Sequence, residues 1–390
     1  MRSESEIVPG ASAADAEIRA LARQFAETEL RPHVEAWDRD RALGTGVLAQ
    51  LAQLGFFGML APEAHGGLDF DLPTYLAVLE EIARGEPVAA LALSIHNAAV
   101  IAPIRRHGSP AQQQRWLAPL ASGEVIGCFA LSEPEAGSDA AAIATRAVRD
   151  GDGWVLEGEK RWVSHADVAG LALVLARTDS PGDPRGAHGI GAFLVPTDTP
   201  GFLRGEREET MGLRAAAVLR IRLREVRLPA DALLGEADRG FACAMEALDL
   251  GRLGIAAQAT GIARAAFEYA RDYAAVREQF GRKIRDFEGI QFKLADMATR
   301  IEAARALLAR AATSPSTGAA AMAKLFASET AMAVTTQAVQ VFGGYGYMRD
   351  YPVEKLMRDA KATEIYEGTN EILRVVIARG LYRPEQPDRL

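Results

Sequence analysis

The residues Ile365-Tyr366-Glu367-Gly368-Thr369-Asn370-Glu371 place a carboxylate directly before a glycine, between a charged helical run and a new apolar one. Glycine allows backbone angles and close approaches that other residues resist. The Thr-Asn pair behind it suits the start of another helix. A carboxylate at such a joint can project into a cavity instead of lying along a wet helix face. A surface glutamate in a helix–helix turn is the plain alternative, and the rest of the chain decides between them.

Five further stretches are more specified than packing alone requires. Phe129 to Ser138 runs from a strand into small residues and hydroxyls, including Leu131, Ser132, Gly137 and Ser138, a suitable edge for a flat polar ring. In Lys160-Arg161-Trp162-Val163-Ser164, an indole and a hydroxyl at alternate strand positions are expected to point to the same side. Asp249-Leu250-Gly251-Arg252 is read as the opening of a long helix, with charges that either serve a ligand or dress the helix start. Arg277, Gln279 and Phe280 stand at the break between two long helices, where an arginine fork can meet a phosphate. Gln340, Gly343 and Gly344 close another helix, and the glycine pair serves as a C-cap or lets backbone approach a ligand.

Composition narrows the function. The chain has 390 residues, 49% hydrophobic and 25% charged, as in an ordinary soluble globular protein of two or three domains. A formal net charge of -8 leaves no electrostatic footprint for nucleic acid. Cys128 and Cys243 lie far apart in apolar surroundings and read as buried free thiols. The six histidines show no metal-ligand spacing, so no protein-bound metal is expected. The acidic first residues are followed by no apolar signal-peptide core, and no run approaches a membrane span. A cytoplasmic enzyme with no membrane association is the expectation.

The elements follow from periodicity. Ser12 and Asp15 form a plausible capping box before Ile18, Leu21 and Phe25 at helical spacing, and Pro32 should kink or end that helix. Helical patterns continue through Leu48 to Leu54, Leu76 to Ile82 and Ala89 to Ile104, so residues 1–122 read as an all-α domain. Strand-like runs at Val125 to Leu131, Trp154 to Leu156, Leu171 to Ala176 and Ile190 to Val195 make 123–235 a β domain. There Leu219, Ile221 and Leu223 alternate with Arg220, Arg222 and Arg224, giving one wet face of a sheet. From Phe241 onward, long runs spaced by three and four describe a helical bundle over 236–390.

Taken together and in this order, these stretches resemble the acyl-CoA dehydrogenase family of flavoproteins, most closely its bacterial short- and branched-chain members. The resemblance covers nearly the whole chain. It implies an α+β multidomain fold: an N-terminal all-α domain, a middle β-barrel and a C-terminal four-helix bundle. It also implies FAD, held by the segment matching Phe129, Leu131, Ser132, Gly137 and Ser138, by Trp162 and Ser164, and by Thr369 and Glu371. Arg277, Gln279 and Phe280, with Gln340, Gly343 and Gly344, match segments that reach the FAD of a neighbouring subunit, which implies a homotetramer. Ser138, Asp249, Arg252, Tyr366 and Gly368 match positions around the CoA thioester, and Glu367 matches the catalytic base. Some family members carry that carboxylate on the long helix beside the arginine. Here the position is Gly251, which supports Glu367.

The implied reaction is α,β-dehydrogenation of an acyl-CoA to trans-2-enoyl-CoA. Glu367 takes the α-proton, flavin N5 takes the β-hydride, and the electrons pass to electron-transferring flavoprotein. An acyl-CoA oxidase on the same scaffold is the first alternative, and a non-catalytic DNA-associated member is the second. Acyl preference is not readable. Ser94, His96 and Asn97 are candidates for the pocket floor, although a satisfied buried histidine is the simpler account of His96.

Overall fold

The computed structural model describes residues 13–44, 46–178 and 186–382. The expected capping residue Ser12 and the loop residues Pro181, Gly182 and Pro184 lie outside them.

The first helix, Ala13–Phe25, gives way near Pro32 to a π turn, Ala26–Leu30, and a 3-10 turn, Arg31–His33, before helix resumes at Val34–Asp40. Asp71 caps the helix Leu72–Gly85 by accepting a hydrogen bond from the Thr74 amide at 2.9 Å. Glu86 separates it from Pro87–His96 and caps that helix through the Val88 amide.

One sequence expectation needs correction here. The continuous helical run Pro87–His107 is 21 residues long with mean hydropathy 1.6, enough to span a membrane by length and composition. Its most apolar window is 89% buried inside the protein, so its apolarity is that of a core helix packed on all sides.

The strands are β1 (Gly127–Ala130), β2 (Arg146–Asp150), β3 (Gly153–Ser164), β4 (Leu171–Thr178), β5 (Ile190–Pro196), β6 (Phe202–Arg207), β7 (Val218–Leu228) and β8 (Leu233–Leu234). They form an eight-stranded sheet in the order β6-β7-β3-β2-β4-β5-β8, with β1 paired to β4. Ala172, Val174, Phe193, Trp154, Phe202, Leu219 and Ile221 share one core, so the sheet curls around its own interior. The alternate residues Leu171, Leu173, Leu175, Ile190 and Leu194 face the helices. This double burial explains why β4 and β5 read as continuous apolar runs. The expected wet face is also present: Arg220 and Arg222 of β7 both reach Glu159 of β3.

The C-terminal part comprises Gly240–Val276, Glu288–Thr313, Thr317–Phe342, Pro352–Thr363 and Asn370–Leu381. The first of these has 37 residues and begins well before Asp249. The reading of Asp249–Arg252 as a helix opening is therefore wrong. The true start is Gly240, where any side chain would collide with β5: a Cβ there would lie 2.3 Å from the Gly191 carbonyl carbon.

The N-terminal helices and this long helix share one hydrophobic core and a buried charge network. Glu81 accepts from Arg19, Arg84 and Arg264, while Glu268 accepts from Arg31 and Arg84 across the same seam. These guanidinium groups hold the Glu81 carboxyl down at about 2 despite its burial. Removing one partner from such a network leaves the others charged and unpaired. Glu81→Ala is expected to lower stability by about 3–5 kcal/mol, seen as a fall in the denaturation midpoint. In the parent, the stabilisation from Glu81 should persist down to the ordinary glutamate range and be lost only as pH falls from there toward about 2. An unchanged midpoint for the variant would contradict this role.

Candidate active site

The helix Pro352–Thr363 ends in a turn that Asn370 closes by donating its amide to the Glu364 carbonyl at 3.0 Å. Thr369 then caps Asn370–Leu381, its hydroxyl accepting from the Ile372 amide. Glu367 and Gly368 lie between, both left-handed, with φ of 56° and 94°. A left-handed glutamate is uncommon and is held only where its surroundings dictate it. Two buried cations do so here. Arg252 donates Nε to the Glu367 carbonyl at 3.2 Å, and Lys324 donates Nζ to the Gly368 carbonyl at 2.8 Å. The turn therefore aims the Glu367 side chain inward against the long helix.

Glu367 is half-buried as a residue, but its carboxylate is enclosed, and Oε2 is buried without a hydrogen-bond partner. Gly251 makes room for it. A Cβ at that position would stand 2.7 Å from Oε2, 2.8 Å from Oε1 and 2.9 Å from Cδ. Position 251 and the Glu367 carboxylate thus occupy one place in space, and only glycine leaves it to Glu367.

Burial pushes the Glu367 carboxyl up to about 7, against the attraction of Arg252 and Lys324 and with a small push from Asp249. Asp249 and Arg252, each 6% exposed, are paired at 2.5 Å, and Thr317 donates its hydroxyl to the other Asp249 oxygen. The Tyr366 hydroxyl donates to Gln258 at 2.5 Å, and Gln258 donates to the Pro87 carbonyl at 2.7 Å. The wholly buried Tyr75 leaves its hydroxyl oxygen without a partner. Ser94 lies behind Gly254, whose Cβ would come 2.2 Å from the Ser94 hydroxyl. His96 and Asn97 belong to the scaffold instead. His96 is bonded to the Leu120 carbonyl and the Gly127 amide, and Asn97 bridges Leu60, Phe56 and Leu93.

A second cluster forms where β1 meets β3. The Arg161 amide donates to the Ser132 carbonyl at 2.9 Å, and the buried Lys160 donates to the Leu131 carbonyl and to Glu133. This joins the Phe129–Ser138 stretch to Trp162 and Ser164. The alternation expected between those two residues does not hold. The β3–β7 register shifts between Lys160 and Val163, and Trp162 sits in that bulge at φ 56°. The bulge turns the indole outward, 53% exposed, beside half-buried Ser164 and Phe129, with Gly137 and Ser138 exposed beyond the Glu133–Ala136 turn.

The third cluster is a cavity of about 460 Å³ lined by Arg277, Gln279, Gly343, Gly344 and Tyr345 among others. Nothing lies within 4 Å of where a Cβ would stand on Gly343 or Gly344, so the cradle is open to a ligand backbone. Phe280 forms the tip of the hairpin that positions Gln279 and is 94% exposed, and Gln340 is exposed beside the glycines. Glu371 is exposed in the first turn of the last helix, its carboxylate held down by its own amide and the Thr369 hydroxyl.

The structure thus brings Glu367, Gly368, Tyr366, Asp249 and Arg252 together, with Thr369 leaving the same turn, and places the Arg277 and Gly343 cavity elsewhere. Sequence reasoning missed Lys324, Tyr75 and Gln258. Only Lys324 carried a signal, as the lone charge in the helical run Gly318–Ser328. Among the described residues no group of His, Cys, Asp and Glu could hold a metal ion, and both cysteines are buried and free.

The position of the Glu367 carboxyl has a stability consequence. Its value is raised to about 7 in the folded protein from 4.5 in the ordinary state, so folding takes up a proton between these limits. The stability it contributes is present at low pH and is lost as pH rises through about 7. Glu367→Gln should therefore gain in denaturation midpoint over the parent as pH rises across that window. Parallel curves for the two proteins would contradict the buried, high-affinity carboxyl.

Comparison with known proteins agrees with this geometry along the whole chain. Residues 12–124, 128–226 and 238–382 match the N-terminal, middle and C-terminal domains of acyl-CoA dehydrogenase. The mitochondrial short-chain specific acyl-CoA dehydrogenase of Bos taurus is 45% identical over 94% of this chain and 89% of its own length. The butyryl-CoA dehydrogenase structure from Megasphaera elsdenii superposes with a TM-score of 0.93 at 39% identity, covering 97% of this chain and 100% of that one. A structure from work on the electron transferring flavoprotein of Acidaminococcus fermentans superposes with a TM-score of 0.94 at 42% identity, over 97% of this chain and 100% of that one. With all three domains matched in order and a relative 45% identical over 94% of its length, the chain belongs to the acyl-CoA dehydrogenase family.

Proposed function

We propose that the protein is an FAD-dependent short-chain acyl-CoA dehydrogenase that converts an acyl-CoA to the trans-2-enoyl-CoA and passes electrons to electron-transferring flavoprotein. The observation that carries this reading is the Glu367 carboxylate, enclosed, with one oxygen unpartnered and a proton affinity near neutrality. An ordinary carboxylate is too weak a base for the α-proton of a thioester. Burial raises its proton affinity toward the working pH, where general-base catalysis is most effective.

The chain also supplies a donor for the charge that develops on the thioester oxygen. Among the described residues no backbone carbonyl accepts from the Glu367 amide, which leaves that N–H free to stabilise an enolate. FAD, when bound, supplies an acceptor at N5 for the hydride leaving the β-carbon. Leu131, Ser132, Trp162 and Ser164 would hold the ring, while Arg252 and Asp249 steady the base turn.

Twenty-four residues separate Arg252 from Val276 along one helix, about 36 Å at 1.5 Å per residue. The Arg277, Gln279, Gly343 and Gly344 cradle therefore stands at the far end of the helix from Glu367. That distance suits service to the cofactor of a neighbouring subunit. Phe280, Tyr347 and Val276 are large apolar side chains left 94%, 85% and 67% exposed, surface that a neighbour would cover. A homotetramer of interlocked pairs is the assembly we assign. The two free buried thiols agree with a reducing, cytoplasmic setting.

The likeness to short-chain specific acyl-CoA dehydrogenases favours short acyl groups as substrates. Anaerobic flavin bleaching with straight-chain and branched acyl-CoAs tests the reading. Butyryl-CoA should bleach the parent faster than octanoyl-CoA, with isobutyryl-CoA and 2-methylbutyryl-CoA placing any branched-chain role. Glu367→Gln should fold and keep FAD yet bleach at least about 100-fold more slowly. Gly251→Ala should keep the base but displace it, with a loss of about 100-fold. Unchanged bleaching in Glu367→Gln would rule out this base.

A further inference from the structure

Lys324 lies in the middle of the helix Thr317–Phe342 and is completely buried. Its ammonium donates to the Gly368 carbonyl at 2.8 Å and to the Asn370 side-chain oxygen at 3.1 Å, and Ser328 donates to that same oxygen at 3.1 Å. Among the described residues no carboxylate lies within ion-pair distance of it. Burying a cation against two neutral carbonyl oxygens is costly, and a neutral donor would satisfy those oxygens equally well. A helix interior so rich in alanine has no packing need for a lysine, so its charge calls for a separate reason.

The charge arrangement around the base turn supplies that reason. Arg252 is paired at 2.5 Å with Asp249, so those two charges largely cancel. Lys324 is the cation left to balance Glu367. Glu367 faces Arg252, Lys324 and Asp249, together with the phenols of Tyr75 and Tyr366, while Lys324 faces Glu367, Arg252, Glu364 and Glu371.

We infer that Lys324 is a positioning residue for the reaction: its buried ammonium pins the Glu367–Asn370 joint and its charge favours the proton-accepting form of Glu367. The inference rests on the reading of Glu367 as base. During proton transfer, the α-C–H bond breaks, the proton goes to a Glu367 oxygen, and the electron pair stays on the substrate as an enolate. The negative charge thus moves from Glu367 to the thioester oxygen, while Lys324, in its protonated form, keeps its place beneath the turn and transfers no proton itself. Burial pushes the Lys324 ammonium down to about 7 and the Glu367 charge pushes it back up, consistent with mutual dependence of the two groups.

Two substitutions in the FAD-loaded protein separate the charge from the pinning. Lys324→Gln keeps a donor but removes the charge. Asn370→Asp keeps the shape and adds a negative charge beside the ammonium, at a helix start where an acid is tolerated. Two measurements report on Glu367 without hydride transfer. One is the pH dependence of deuterium exchange from solvent into the α-carbon of butyryl-CoA. The other is the infrared band of the protonated Glu367 carboxyl, identified by its absence in Glu367→Gln.

Both variants should move the Glu367 titration to higher pH by about one unit or more. Variants that fold and bleach like the parent, with the Glu367 titration unmoved, would reduce Lys324 to a packing device and overturn the inference. If Lys324→Gln does not fold, the Asn370→Asp titration decides alone. Failure of the parent to bleach with any acyl-CoA would count against the proposed reaction, and the infrared titration would still decide the role of Lys324.

Discussion

The site depends on a balance at one carboxylate. Enclosure of Glu367 raises its proton affinity, and the nearby cations Arg252 and Lys324 lower it. A close ion pair would hold the carboxyl low and make it a feeble base. Full burial without cations would leave it permanently protonated. Here neither cation forms a hydrogen bond with the carboxylate. Both instead bond the backbone carbonyls of the turn, and Oε2 is left buried without a partner. The cations thus set the shape of the turn and the field at the carboxylate through the same contacts.

The helix Gly240–Val276 connects this balance to the rest of the molecule. Its middle carries Asp249, Gly251 and Arg252 under the base and Gln258 at the Tyr366 hydroxyl. One turn and a half further on, Arg264 joins Glu80 and Glu81 of the N-terminal helices. That network ties the helix Leu72–Gly85, which also carries the buried Tyr75, to the long helix. Its C-terminal end delivers Arg277 and the hairpin of Gln279 and Phe280 to a surface remote from Glu367. A single long helix therefore links the turn of Glu367, the N-terminal helices and the cavity at Arg277.

Much of this was legible in the chain. Glu367-Gly368 announced a joint because glycine and a Thr N-cap leave a distinct mark between two helical patterns, and Gly251 already argued against a base on the long helix. The arginine row of β7 read correctly because alternation with one wet face is a direct trace of sheet geometry. The failures have equally physical causes. The β3 bulge adds a residue to one strand without any signal in residue type, so Trp162 was assigned by an alternation that the bulge breaks. Periodicity from Phe241 placed the long helix within one residue of its start at Gly240, but the charges at Asp249 and Arg252 suggested a second opening because their pairing with each other and with Thr317 is a contact inside the fold. The helix over Ala89 to Ile104 was read, but its span-like length over Pro87–His107 was not, and His96 and Asn97 within it are satisfied by backbone groups inside the core. Lys324 stands as the lone charge of an apolar helical run, and only the fold puts its ammonium against the Gly368 carbonyl.

The central claim is that a buried glutamate with a near-neutral proton affinity removes the α-proton. The most direct test is the pH dependence of kcat/KM for butyryl-CoA in the parent protein, since this ratio reports the ionisation of the free enzyme. The account predicts that activity rises with pH and levels off above an ionisation at about 7, where Glu367 becomes the carboxylate. A profile already flat from the ordinary glutamate range near 4.5 upward would contradict it.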